Sequence, residues 1–188
     1  MSLMNFIGPR PNLLDPKSGK NQKLIEVDHP ILDNLDIEKI RNIDKFTSNK
    51  LRSVTLSICY NKKENPNLEI ENFLQSVCIE AERIINSDAC NIIILSDREV
   101  DQNNIAIPAL LATSSVHHHL IKKGLRTKVG LIIETGEARR VHDLCLLAGF
   151  GAEAINPYLA FYTLSNIIKN HNEDIQDCLL YTSPSPRD

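Results

Sequence analysis

Three short polar runs in this sequence stand where an α/β protein places its chemistry. Ser96, Asp97 and Arg98 follow the apolar run NIIIL, Glu134, Thr135, Gly136 and Glu137 follow VGLII, and Asn156 follows AEAI. Residues at the C-terminal ends of parallel strands share one rim, so Asp97, Arg98, Glu134, Glu137 and Asn156 are expected to meet there. Two carboxylates on a rim can divide acid and base roles if their surroundings separate their pKa values. The same side chains can instead serve structure, with Asp97 or Glu134 pairing with Arg98 or Arg139 to tie the loops together. The second reading is favoured, because no substrate logic accompanies the carboxylates.

Phosphate chemistry needs a glycine-rich turn after a strand and before a helix N-terminus. The turn in that place, ETGEAR, holds two carboxylates that would repel a phosphate, and the GxG of Gly149-Phe150-Gly151 precedes a strand. An independent nucleotide enzyme is therefore disfavoured. Glu137 and His142 lie five residues apart and point away from each other on a helix, so they form no metal pair.

His117, His118 and His119 are consecutive. Helical neighbours point about 100° apart, so the three cannot converge on one metal. Ile107, Leu110, Leu111, Ser114 and Ile121 define one apolar stripe, and Ala109, Val116 and Leu120 a second. His117 falls between the stripes as a partly buried histidine, His118 flanks the first, and His119 is expected to point to solvent with Lys122 and Lys123. A helix apolar over so much of its circumference is expected to be covered on two sides, by a neighbouring domain or subunit. The five cysteines, at 59, 78, 90, 145 and 178, contain no CxxC pair. They read as small buried hydrophobes in a reducing compartment rather than as metal ligands or disulfides.

The elements that position these residues alternate in type. Residues 1 to 23 are broken by Gly8, Pro9, Pro11, Pro16 and Gly19 into an irregular arm. Beyond it, an extended piece from Leu24 to Ile31 leads to a short helix from Leu35 to about Arg41, capped by Asp33 or Asn34. These parts cannot build a core and are expected to lie on something else. Period-two alternation marks a strand over Leu51 to Tyr60. An amphipathic helix over Leu68 to Asn86 and a strand over Cys90 to Leu95 come next. A helix over Ile107 to Lys123 opens near Pro108 and closes on Gly124.

A third strand spans Val129 to Ile133, a helix Ala138 to Ala148, a fourth strand Ala152 to Ile155, and a last helix about Pro157 to Asn170. Four βα units imply right-handed crossovers and a parallel sheet: a small open sheet, or part of a (β/α) barrel. At 188 residues and a net charge of -3, the chain suits one domain with an arm and carries no electrostatic footprint for nucleic acid. No apolar run approaches the ~20 residues of a membrane span, and the N-terminus lacks the pattern of a signal peptide. A cytoplasmic protein is expected.

The runs IIILSDR (92 to 98) and IPALLATSSVHHHLIKKGLRTKVGLIIETGEARRVHDLCLLAGFGAEAINPYLAFYTL (107 to 164), with the early GPRPNLLD (8 to 15), closely resemble the central domain of the glutamate synthase large subunit. The similarity spans roughly residues 1 to 170. That resemblance implies a parent with an N-terminal glutaminase domain, an α/β central domain, and an FMN and iron–sulfur barrel where 2-oxoglutarate and ammonia become glutamate. A β-helical C-terminal domain completes it. The central domain would join the two active sites and help shape the ammonia path.

The glutaminase nucleophile, the FMN contacts and the cluster cysteines of that family belong to segments outside this sequence, so no catalytic, cofactor or metal role is carried onto any residue here. Asp97, Arg98, His117, Glu134, Glu137, Arg139 and Asn156 are candidates for rim and interdomain contacts. The competing reading is a self-standing (β/α) enzyme using Asp97, Glu134 and Glu137. The expected organisation is an arm and short helix over 1–45 and an α/β central domain, incomplete, over 46–177. The ending CLLYTSPSPRD looks like translated adapter read-through, so 178–188 is set aside as a non-native tail.

Overall fold

The computed structural model describes residues 4–11, 23–48, 50–61 and 70–170. The tail at 178–188, Cys178 and the first residues of the helix expected from Leu68 lie outside them.

The described part of the arm is not structureless. Strand β1 (Asn5–Ile7) pairs antiparallel with β2 (Ile25–Val27), Phe6 opposite Glu26. Helix α1 (Asn34–Arg41) follows, capped by Asp33, whose Oδ1 accepts the Asp36 amide at 2.6 Å, and then the short α2 (Ile43–Thr47).

The segment expected as one strand over Leu51 to Tyr60 divides into β3 (Ser53–Ser57) and β4 (Cys59–Asn61). Ile58 is the switch: its amide donates to Ser96 O at 2.9 Å, and its carbonyl accepts the Ile107 amide at 2.9 Å. Helix α3 (Ile70–Asn86) leads to β5 (Ile92–Ser96) and then to β6 (Asn104–Ala106), which pairs antiparallel with β4 as a separate ribbon.

Helix α4 (Ala109–Lys122) ends in a glycine-closed turn. Gly124 adopts φ +67, its amide bonds Ile121 O, and Leu125 bonds Leu120 O at 2.8 Å, so the last carbonyls are satisfied. A 3-10 turn (Arg126–Lys128), β7 (Gly130–Glu134), α5 (Val141–Gly149), β8 (Ala154–Asn156) and α6 (Tyr158–Asn170) complete the described chain. Helix α5 starts later than expected because the Asp143 carboxylate takes the amides of Arg139 and Arg140 at 3.2 and 3.1 Å. Strand β8 likewise starts late: Ala152 still bonds back to Leu147 O at 3.0 Å.

Strands β3, β5, β7 and β8 form one parallel sheet in sequence order. The central strands are buried along their whole length, as their unbroken apolar sequence requires. Side chains of Ile93, Leu95, Leu131, Ile133 and Ile155 face a core shared with α3, α4 and α5, all on one side of the sheet. That is the winding of a partial (β/α) barrel, opened to a sheet. The alternate residues Ile92, Ile94, Ile132 and Ala154 face the other side, where Ile7 of β1 and Ile37 and Ile40 of α1 cover them.

The arm therefore supplies the second layer. It also closes the edge of β8: Ile31 bridges Ile155 in parallel, and Leu32 donates to Ile155 O at 2.8 Å. Among the described residues, no helix is long and apolar enough to cross a membrane.

Candidate functional site

The ends of β5, β7 and β8 meet at one rim, as parallel register dictates: Ser96 lies opposite Glu134, and Glu134 opposite Asn156. Glu134 is fully buried. Its Oε1 faces Arg98 Nε at 2.6 Å, and its Oε2 accepts from Arg41 of α1 and from the Ser96 hydroxyl. Two guanidinium groups from different layers thus converge on one carboxylate, which offsets the cost of burying it.

Asp97 is also buried and accepts the Thr135 hydroxyl at 2.6 Å and the Gly136 amide at 3.0 Å, so it shapes the turn after β7. The Asp97 amide donates to Glu134 O at 3.2 Å. Asn156 reaches across to the arm, donating from Nδ2 to Leu32 O at 2.9 Å and to Asn34 Oδ1 at 3.2 Å. Arg98 also donates to Asn34 Oδ1, at 3.2 Å, and lies 4.6 Å from the centroid of the Tyr158 ring. Burial pushes the Tyr158 hydroxyl pKa up, and its bond to Asp97 and that carboxylate's charge raise it further. Tyr158 is thus a proton donor held beside two carboxylates, with no tendency to ionise near neutrality.

Of the sequence candidates, Asp97, Arg98, Glu134 and Asn156 are brought together. Glu137 stands at the border of the rim and serves a helix: its Oε2 accepts the Ala109 amide at 2.7 Å, satisfying an open donor at the start of α4. Arg139 is exposed, and its amide donates to Asp143. The Asp143 carboxyl is held below its usual range by the amides of Arg139 and Arg140.

His117 is not at the rim. It lies at the opposite edge, where the strands begin, and its Nδ1 accepts from Arg126 Nε at 2.9 Å. His119 does not point to solvent as expected: it packs between α3 and α4, its Nε2 2.8 Å from Glu82, while His118 is the exposed member. Thr135 lies within an expected polar run, whereas Arg41 and Tyr158 were not among the expected site residues. Arg41 closes an expected helix and gives no local sign of a partner 93 positions away.

Among the described residues, no group of three or more His, Cys, Asp and Glu is placed to hold a metal ion. Cys78 and Cys90 are buried and Cys59 half-buried, but Cys145 is exposed, against the expectation of a small buried hydrophobe. Glu134 is balanced by Arg41 and Arg98, and Asp97 is held by the Thr135 hydroxyl and the Gly136 amide. The oxygens of both carboxylates are thus directed at protein groups, while the buried Asn156 Oδ1 finds no hydrogen-bond partner among the described residues.

The chain matches the family described as glutamate synthase central domain over residues 1–183. It is 37% identical over 174 residues to the glutamate synthase (NADPH) large chain of Bacillus subtilis, covering 93% of this chain and 11% of that protein. It is 34% identical over 180 residues to a glutamate synthase (NADH) of Saccharomyces cerevisiae, covering 93% and 8%. To a ferredoxin-dependent glutamate synthase of Pyropia yezoensis it is 36% identical over 165 residues, covering 87% and 10%. The chain spans about a tenth of the length of these relatives.

Proposed function

This chain belongs to the glutamate synthase central domain family, and we propose that in its parent polypeptide it joins a glutaminase domain to an FMN- and iron–sulfur-bearing synthase domain. In that role it shapes the passage of ammonia between two active sites during glutamate formation from glutamine and 2-oxoglutarate. Its partners are the other domains of the same polypeptide. Residues 1–45 serve as the covering arm and 46–177 as the α/β body.

The observation that carries this reading is the state of the rim. Each of its buried carboxylates is spent on holding loops: Glu134 on Arg41 and Arg98, Asp97 on the turn at Thr135 and Gly136. A general base must reach a substrate proton, and these oxygens reach protein groups instead. The reading of a self-standing enzyme using Asp97, Glu134 and Glu137 draws no support from this arrangement. Among the described residues, the cysteines form no cluster-binding group, and in this reading FMN and the iron–sulfur cluster belong to other parts of the parent.

The experiment is Asp97→Asn and Glu134→Gln in a full-length enzyme carrying this domain, with glutamate formation measured from glutamine and from free ammonia. Loosening the rim should lower the glutamine-dependent rate roughly tenfold relative to the ammonia-dependent one, a cost of about 1.4 kcal/mol in coupling. If both rates stay at wild-type values, the linking role is wrong.

A further inference from the structure

The edge where the strands begin carries a second charged cluster, outside the rim. Arg126 donates to four acceptors: His117 Nδ1 from Nε at 2.9 Å, Val129 O from Nη1 at 2.8 Å, and Gly151 O and Glu153 Oε1 from Nη2 at 2.9 and 3.0 Å. Glu153, only 4% exposed, is where the arm is fastened. Its Oε2 accepts the Gly8 amide at 3.2 Å, its Oε1 faces Arg10 at 3.8 Å, and its carbonyl accepts from the Asn5 side chain. The Arg10 amide adds a bond to Thr127 O at 2.7 Å, next to Arg126. Two of these contacts, from the Gly8 amide and the Arg10 side chain, rest on the Glu153 carboxylate, which Arg126 also holds.

One of the four Arg126 bonds, that from Nε, depends on the protonation of a single ring nitrogen. Nδ1 of His117 can accept from a guanidinium only when it carries no proton, so the neutral ring must hold its proton on Nε2. On one side the ring lies against the backbone, where a Cβ on Gly151, at φ +114, would stand 2.1 Å from Nδ1; on another it borders a cavity that it shares with Arg10, Arg126 and Glu153.

We propose that His117 is the positioning residue of a pH-sensitive latch, holding Arg126, and through it Glu153 and the arm at Asn5 to Arg10, in place only while the imidazole is neutral. Protonation turns Nδ1 into a donor facing a guanidinium. Arg126 is then pushed from its place, Glu153 loses its closest counter-ion, and the Gly8 amide loses its acceptor's fixed position. The groups facing His117 are Arg126, the backbone of Gly151, and His118, whose ring meets it edge-on with centroids 5.3 Å apart. Glu153 and Arg10 lie beyond Arg126. Burial, then the charges of Arg126 and His118, hold the His117 pKa below that of free imidazole, in line with the geometry. The folded chain therefore binds fewer protons than the unfolded one. The latch is complete above the free-imidazole range and is lost as pH falls through it toward the folded value.

The test is amide exchange of the full chain at about pH 7.5 and about pH 5.5, corrected for intrinsic rates, read at Gly8, whose amide bonds the Glu153 carboxylate. Protection should fall by up to about tenfold for each unit by which the folded His117 pKa lies below the unfolded one. In His117→Asn, whose amide oxygen takes the place of Nδ1 and does not titrate, it should stay at its pH 7.5 level. Unchanged protection in the native chain, or the same loss in His117→Asn, overturns the proposal. Ring-nitrogen NMR of the native chain gives a reading independent of any variant: the Nε2–H tautomer of His117 near neutrality supports the latch, and the Nδ1–H tautomer overturns it.

Discussion

A carboxylate with no exposure to water persists in a folded chain only if the charge it carries is met on the spot. Glu134 meets that condition through Arg41 and Arg98, and Asp97 through a hydroxyl and a backbone amide. The meeting of Asp97, Glu134 and Asn156 could be read from sequence, because each ends an apolar run and parallel register brings such ends together. Arg41 could not, because which guanidinium reaches a buried acid is decided by how the layers stack. The cysteines show the same division. Burial pushes the Cys90 thiol up to about 11 and raises Cys78 as well, while Cys145 is exposed. Brief alkylation of the native chain near pH 8 should label Cys145 and spare Cys78 and Cys90 until the chain is unfolded, because the thiolate is the reacting form. Peptide mass mapping reads this directly, and labelling of Cys90 as fast as Cys145 would contradict its packing.

Strands and helices with their own periodicity were readable within a few residues: β5, β7, α3 and α4 each declare a buried run or an apolar face in local sequence. The pairings of the short antiparallel strands were not. Strand β1 finds its partner β2 twenty residues on, and β4 finds β6 more than forty on, so neither leaves a pattern in a local window. The largest consequence lies in the arm, whose first part reads as irregular and yet forms β1, so that Ile7 joins Ile37 and Ile40 of the expected helix in burying Ile92, Ile94, Ile132 and Ala154. It comes close to the sheet at Gly130, where an added Cβ would stand 2.6 Å from the Gly8 amide nitrogen and 2.9 Å from Ile7 Cγ2. Backbone cannot yield there as a flexible side chain would. Gly130→Ala is therefore expected to cost about 1–3 kcal/mol, seen as a lower urea midpoint, with the arm amides losing protection first. A midpoint equal to the native chain's would mean that the arm does not press on β7.

Across the whole molecule, apolar surface is distributed unevenly. The helix bearing His117 to His119 reads as one that needs a cover from outside, but α4 finds its neighbours within the chain, in α3, α5 and β7, leaving Leu111 and Ile121 exposed. The uncovered element is instead α6, none of whose described side chains is buried; Tyr162 is 63% exposed and Ile167 50%. A helix gains little from packing that it does not make, so α6 contributes little to the stability of the chain while exposing a row of apolar groups to water. Lysine at both Tyr162 and Ile167 should therefore reduce self-association and the binding of a hydrophobic dye, yet leave unfolding within about 0.5 kcal/mol of the native chain, as substitutions at exposed sites do. Light scattering and a thermal melt of the same sample separate the two effects. A large loss of stability would mean that α6 packs on the body, and unchanged dye binding would place the exposed apolar surface elsewhere, with Leu35 and Phe46 of the arm helices the next to replace.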